Sequence, residues 1–402
     1  MKKNILSASV YNCTGCGACK VMCPHNAITI SLNNDGFFSP VVNAEKCVLC
    51  GLCQSVCYKY TIIDYNIKCE ASVYGVFSKN KDTLQAKTSG GVAYEISKWG
   101  IEHGYKIFGV RYNLTENIAE HIIVDDIKML DALSGSKYIQ SYTSEALCSM
   151  ISDAIKNPHY KYICIGTPCQ IYGLRKVIEA KKLKNEFILI DLFCHGVPSY
   201  LVWNKYIEEK ENKVGTIKHI DFRSKVNGWH QYTMYIKGSN RSYKEYSCRD
   251  IFYRYFFDNV ALNDACYNCA FRKGLSMADV RLGDFLGPAY KYREDGVSAV
   301  LIISEVGRKL LDELQSLDCI VIDKKWNKEQ CTRYQSLQEY KSLNLRNGVI
   351  YRLQLGFSLR KTLKWYNRQF PVKERIKQAL KQAVHFMLPN NMIIYIKRII
   401  TK

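Results

Sequence analysis

Eight cysteines near the start of the chain fall into two identical runs. Cys13-x2-Cys16-x2-Cys19-x3-Cys23-Pro24 recurs as Cys47-x2-Cys50-x2-Cys53-x3-Cys57, every cysteine displaced by 34 residues. Gly17 with Gly51 and Ile28 with Ile62 coincide at the same shift, so the segment is an internal duplication. Two-residue gaps let three thiolates on one loop reach three irons of a 4Fe-4S cube, and the bacterial ferredoxin run takes its fourth ligand from the other repeat. The expected ligand sets are therefore Cys13, Cys16, Cys19 and Cys57 for one cluster, and Cys47, Cys50, Cys53 and Cys23 for the other. Gly15, Gly17 and Gly51 permit the tight backbone and leave N–H groups for the cluster sulfurs. Zinc would instead ask for paired CxxC knuckles separated by roughly a dozen or more residues. Tyr58 stands where proline usually follows the fourth cysteine, which changes the turn and not the ligation. A ferredoxin moves single electrons and transforms nothing, so the rest of the chain must supply a partner for it.

Four further cysteines form a second group. Cys169 follows a strand-like run, Tyr160–Ile165, ended by Gly166; Cys194 follows the apolar run Phe187–Phe193; Cys266-x2-Cys269 has knuckle spacing. These are a candidate third metal site. The plain alternative makes Cys169 and Cys194 small buried hydrophobes and Cys266/Cys269 half of a zinc knuckle. Cys164, Cys69, Cys148, Cys248, Cys319 and Cys331 lack partners at ligand spacing and are read as ordinary cysteines.

The elements that must position these residues are legible too. The short strands Ala27–Ile30 and Thr61–Ile63 should cover the ferredoxin clusters. Thr167-Pro168-Cys169-Gln170 reads as a capping box with proline at the first helical position. A helix to about Lys182 then leads into the second strand. The result is a βαβ unit with parallel strands, placing Cys169 and Cys194 beyond their carboxyl ends, where α/β sheets bind ligands. Thr88-Ser89-Gly90-Gly91 opens a helix from Val92 to His103, and its turn suits a phosphate or serves as a plain cap. A strand over Lys106–Arg111 follows.

At 402 residues two to three units are expected. No export signal and no apolar run of about 18 residues is expected, so a chain with 18 cysteines reads as one using metal or redox ligands in a reducing, cytoplasmic compartment. The net charge is +20, but residues 351–402 hold twelve Lys and Arg against the single acid Glu374. A nucleic-acid partner is therefore not expected, because no basic stripe crosses the body. In that tail Val372, Ile376, Leu380, Ala383 and Met387 form one helical stripe. A basic amphipathic helix lies on an anionic membrane surface, docks a partner, or packs on its own domain.

Several motifs occur in order: Ser89-Gly-Gly-Val92, Gly135-Ser-Lys-Tyr138, Gly166-Thr-Pro-Cys-Gln170, Cys194-His-Gly-Val-Pro-Ser199, Phe222-Arg-Ser224 with Gly228-Trp229, Cys266-Tyr-Asn-Cys269, and Ala278-Asp-Val280 with Gly283-Asp-Phe285. Over about residues 70–330 this resembles the family of the coenzyme F420 hydrogenase/dehydrogenase beta subunit, many members of which carry a ferredoxin arm. The resemblance implies FAD and a third 4Fe-4S cluster in this region. It assigns the cluster to Cys169, Cys194, Cys266 and Cys269, and the flavin site to Ser89, Gly90, Gly91 and Lys137; Gly166 and Thr167, in the neighbouring turn, join the expected cofactor-binding set. Leu286, after Gly-Asp-Phe, departs from the aromatic common there.

The expected architecture is an α+β ferredoxin module (1–66), an α/β flavin and iron–sulfur domain with a partly parallel sheet (70–345), and a basic helical tail (351–402). The second domain is expected to fold without the first. A flavin would convert single electrons into the electron pairs that organic substrates need. His195, beside a proposed ligand, is the candidate for hydrogen bonding a sulfur or delivering a proton. The favoured reading is a flavin-dependent oxidoreductase taking electrons from a low-potential donor such as ferredoxin to an organic substrate. Two rivals are an electron-transfer subunit docked on a hydrogenase or dehydrogenase and reducing coenzyme F420, and a non-enzymatic metal-cluster scaffold without flavin.

Overall fold

The computed structural model describes residues 4–6, 13–60, 72–327, 343–376 and 380. In the ferredoxin segment each repeat turns at a glycine with positive φ, Gly17 (79°) and Gly51 (83°), into a one-turn helix, Ala18–Val21 and Leu52–Ser55. Left-handed backbone at these points strongly favours glycine. Strand β1 (Ile28–Leu32) pairs antiparallel with β2 (Phe38–Val42). The strand expected at Thr61–Ile63 lies outside the described residues.

The body is built on nine strands: β3 (Ser72–Ser78), β4 (Tyr105–Asn113), β5 (Ile118–Val124), β6 (Ser141–Tyr142), β7 (Lys161–Gly166), β8 (Glu186–Leu192), β12 (Val280–Asp284), β13 (Ser298–Ile302) and β14 (Ile320–Trp326). Their order across the sheet is β14-β3-β13-β12-β8-β7-β4-β5-β6. Strands β4, β7, β8 and β12 run parallel, whereas β13, β3 and β14 join one side antiparallel and β5 pairs antiparallel with β4. The sheet is thus mixed, as the alternation of strands and helices suggested. The expected βαβ unit is present: β7 passes through the helix Pro168–Lys181 into the parallel neighbour β8, in the register Cys164↔Leu189. Its start is the capping box, with the Thr167 N–H donating to Gln170 Oε1 at 2.9 Å. The helix after Ser89-Gly90-Gly91 spans Val92–Glu102 and leads into β4.

A smaller antiparallel sheet, β9 (Ile217–Ser224), β10 (Thr233–Gly238) and β11 (Ser242–Tyr246), packs with the helices Tyr200–Val214 and Ile251–Phe257 in an aromatic core. Trp203, Tyr206, Phe222 and Phe252 are all essentially solvent-free there. The helices Leu343–Gln354 and Leu359–Arg368 join the same core through Val349, Ile350, Leu353, Leu359, Leu363 and Tyr366. The stretch expected to be a separate basic tail therefore begins inside the packed body. In its second helix Leu359, Leu363 and Tyr366 face inward at helical spacing, and Lys361, Lys364 and Arg368 face outward. Val372, Ile376 and Leu380 of the expected stripe are exposed, and Ala383 and Met387 lie outside the described residues.

The ferredoxin segment is set into this body rather than hung from it. Phe38 packs on Tyr142 and Tyr200, with ring centroids 5.0 and 5.4 Å apart. The buried Gln140 amide accepts the Phe38 N–H at 2.7 Å and donates to the Thr14 carbonyl at 2.9 Å. Thr143 donates to the Cys16 carbonyl at 3.0 Å, Asn263 to the Cys13 carbonyl at 3.1 Å, and Arg346 to the Asp35 carboxylate at 2.9 Å. Groups this buried lose their water on docking, so each bond replaces a solvent partner that separation would have to restore. The second domain was expected to fold without the first, and these contacts show the two packed together.

A chain of three cysteine cages

Cys13, Cys16, Cys19 and Cys57 line one cavity, which joins three ligands of the first repeat to the last of the second. Gly15 turns the loop with φ +68°, and the Gly15 N–H points at Cys13 Sγ at 3.4 Å. A side chain at Gly15 would collide with the Phe38 carbonyl oxygen, 2.4 Å from where its Cβ would stand. Burial pushes the Cys13 thiol up to about 11 and the Cys16 thiol up to about 12, while Cys19 and Cys57 are raised by burial as well. Such thiols give up their protons only when iron compensates the charge, so cluster assembly here releases protons.

The second expected set is Cys23 with Cys47, Cys50 and Cys53. Cys53 feels the charges of Cys50 and Cys23 directly, and burial raises its thiol. Asn4 Nδ2 reaches Cys47 Sγ at 3.7 Å, and the Ala27 N–H reaches Cys23 Sγ at 3.3 Å. Cys50 is exposed and is flanked by exposed Val48, Leu49 and Leu52. This is the cage nearest solvent.

The third cage stands at the carboxyl ends of neighbouring strands β7 and β8. Cys169 lies in the first turn of the helix after β7, Cys194 just beyond β8, and Cys266 and Cys269 on and after the short helix Asp264–Tyr267. All four line one cavity, together with Thr14, Thr167, Arg272 and Arg281. Burial pushes Cys169 and Cys194 each up to about 12 and raises Cys266 as well, with the neighbouring cysteine charges adding to it. Around a single zinc, thiolate sulfurs about 3.8 Å apart would be needed to satisfy Zn–S bonds of about 2.3 Å. Among the described residues no group of three or more His, Cys, Asp or Glu is arranged to hold a single ion. Four cysteines lining one cavity supply the four thiolates that a 4Fe-4S cluster would take.

The first and third cages lie back to back. Thr14, between two ligands of the first, lines the third, and Cys169 feels the charge of Cys16. On the helix bearing Cys169, a side chain at Gly173 would come within 3.0 Å of the Cys16 sulfur. The order is therefore a distal cage at the surface, a proximal cage, and a third cage at the sheet.

The other expected site residues are placed differently. Thr167 lines the third cavity, its hydroxyl 3.2 Å from Cys169 Sγ, and Gly166 ends β7 next to it. Ser89 donates to the Val297 carbonyl at 2.9 Å, and the Gly90 N–H donates to Ser298 Oγ at 3.0 Å. A Cβ on Gly90 would stand 2.4 Å from the Val76 carbonyl oxygen, and the Gly91 side faces Thr83 and Ser78. Lys137 is buried, and its ammonium meets the carbonyls of Val110, Leu133 and Ser134 at 2.8, 3.0 and 2.8 Å. The polar groups of Ser89, Gly90 and Lys137 are bonded within the chain, an arrangement that does not fit a flavin phosphate or ring at those atoms. His195 does not line the third cavity. Its Nε2 lies 3.1 Å from the Phe256 carbonyl, and burial, then the Arg272 charge, hold it below the ordinary histidine range.

Sequence reasoning missed the two arginines beside the third cage. Arg281 on β12 is locked to Asp191 of β8 by bonds of 2.6 and 2.7 Å. Arg272 follows Cys269 by three residues and feels the charges of Cys269, Cys266 and Cys194. The signal for Arg281 was Asp191 itself, an acid at the end of the buried apolar run Phe187–Ile190. A carboxylate there needs a cationic partner.

Residues 159–327 match the family described as the carboxyl-terminal part of the beta subunit of coenzyme F420 hydrogenase/dehydrogenase, and residues 12–60 match the 4Fe-4S dicluster domain. The chain is 23% identical over 326 residues to a coenzyme F420-dependent sulfite reductase of Methanocaldococcus jannaschii, a match covering 75% of this chain and 46% of that protein. The chain thus spans about half the length of that relative. It is 24% identical over 311 residues to one subunit of the F(420)H(2) dehydrogenase of Methanosarcina mazei, covering 75% of this chain and 81% of that one. A chain of the F420-reducing [NiFe] hydrogenase complex from Methanosarcina barkeri aligns over 78% of this chain and 97% of its own, at 15% identity and a TM-score of 0.45. The chain joins a 4Fe-4S dicluster domain to a domain of the family named for the beta subunit of coenzyme F420 hydrogenase/dehydrogenase.

Proposed function

We propose that this chain is the iron–sulfur electron-transfer subunit of an oxidoreductase linked to coenzyme F420. The observation that carries the reading is the series of three adjoining cysteine cages, running from exposed Cys50 to the carboxyl ends of β7 and β8. Cys13, Cys16, Cys19 and Cys57 would hold the proximal cluster, Cys23, Cys47, Cys50 and Cys53 the distal one, and Cys169, Cys194, Cys266 and Cys269 the third. Each cluster, when bound, passes one electron at a time. The chain's own contribution is to hold the cages close, exclude water from the inner two, and place Arg272 and Arg281 beside the third. Arg281 is charge-matched by Asp191, so the net positive neighbour is Arg272, and a positive neighbour stabilises an added electron.

The subunit reading gains over the standalone reductase from two relatives. One bears the word subunit in its name, and the other matches over less than half its length, leaving the remainder to supply further chemistry. FAD, implied by the family resemblance, would supply two-electron exchange, but Ser89, Gly90 and Lys137 of its expected site have their polar groups bonded within the chain. No step here runs through it.

The test is anaerobic mixing with two donors, followed by the clusters' visible and EPR signals. Reduced coenzyme F420 should reduce the clusters in the chain together with its partner subunits. Reduction by ferredoxin alone, with no response to the deazaflavin in any assembly, would favour the standalone reductase. The flavin released on denaturation, measured on the same sample, reports FAD directly.

A further inference from the structure

Tyr58 follows the cluster ligand Cys57 directly, where the bacterial run ordinarily has proline. Its side chain lines the proximal cavity. On its other side its ring meets Phe271 edge-on, with centroids 5.6 Å apart at 66°. Phe271 is itself buried and lines the third cavity. Tyr172, Phe271 and Leu275 form one buried apolar group, against which the half-buried Tyr58 packs together with Cys169 and Cys269. One side chain of the ferredoxin segment thus reaches from the proximal cage to the wall of the third. A proline ring is too short to span that distance.

We propose that the Tyr58 ring is a shared wall between the proximal and third clusters, a positioning residue that excludes water from the space between them and so sets both reduction potentials. The physical argument concerns charge. Reduction adds an electron to a cluster, and an apolar surrounding disfavours that extra charge, whereas water favours it. Opening the wall should raise both potentials. The distal cluster is walled by other residues and should not respond.

The test is an EPR-monitored redox titration of the anaerobic full chain, with signals assigned through Cys169→Ser and Cys50→Ser. Tyr58→Ala should raise the proximal and third potentials together, by about tenfold in the one-electron equilibrium or about 59 mV, and leave the distal one in place. Tyr58→Phe should restore the parent values, because the ring and not the hydroxyl forms the wall. Should Tyr58→Ala lose iron, Tyr58→Leu keeps an apolar wall of shorter reach and should give a smaller shift of the same sign. Unmoved potentials in a fully loaded variant, an equal shift at the distal cluster, or a Phe variant behaving like Ala would each overturn the assignment. The inference rests on the three-cluster reading. About eight irons in the parent chain would remove that reading, whereas about twelve irons with unmoved potentials would remove only the role of Tyr58.

Discussion

Ligand identity was the most legible feature of the sequence, because cluster chemistry demands a residue type at a spacing. Cys57 of the second run lines one cavity with Cys13, Cys16 and Cys19 of the first, as an exchange of fourth ligands asks. The partners that a buried residue finds across the fold were not legible. Lys137 looked like a flavin contact and instead caps three carbonyls; His195 looked like a proton donor and lies against the Phe256 carbonyl. At this scale Cys169→Ser should cost about four irons of about twelve and leave the ferredoxin pair intact, measured by iron content and EPR. A second prediction concerns His121 of β5, stacked on Phe108 with centroids 4.5 Å apart. Burial holds it down to about 3 from an ordinary 6.5, against the opposing pull of the Ile165 and Tyr142 carbonyls. A depressed histidine contributes stability above pH 6.5 that is lost as the pH falls toward 3, because the unfolded chain binds the proton first. Urea unfolding should show the parent losing about 2 kcal/mol between pH 7 and pH 5 that His121→Phe does not lose. Equal losses in both would contradict this.

Among the elements, the βαβ unit could be read in advance because its signals are local: an apolar run, a capping box, and a second apolar run. The turn Ser89-Gly90-Gly91 carried a local signal of another kind, and tertiary packing decided its meaning. Its glycine lets the helix start lie against β3 and β13, where a Cβ would meet backbone atoms of Val76 and Ser298. Gly90→Ala should accordingly lower stability by about 1–3 kcal/mol through overpacking, measured by thermal unfolding of the anaerobic protein, with the ferredoxin clusters retained. A neutral effect on stability with loss of a bound anion would instead return the turn to a phosphate role. The capping box makes a separate prediction. Gln170→Ala removes the acceptor of the Thr167 N–H and should cost about 1 kcal/mol. Because Cys169 sits in the same turn, the third cluster should be stripped by a chelator before the other two. Uniform loss from all three would show that the cap does not steady that cage.

For the whole molecule, the sequence showed the division into a ferredoxin segment and an α/β body, but not how closely they are joined. Gln140, Thr143, Asn263 and Arg346 each spend a side-chain donor on the ferredoxin segment, and Phe38 fills a place in the aromatic core. Contacts between residues so far apart in the chain leave no local pattern to read. Removing residues 1–66 should therefore do more than cut the electron route. It strips Thr14 from the third cavity and uncovers Gly173 and Tyr200, so the truncated chain should unfold more readily and lose the third cluster too. Among the described residues no helix is long and apolar enough to cross a membrane. The account of the whole chain is that of three clusters in a row, and anaerobic iron and acid-labile sulfide analysis tests it most directly. It predicts about twelve irons and about twelve sulfides per chain, and about eight irons with one zinc would contradict it.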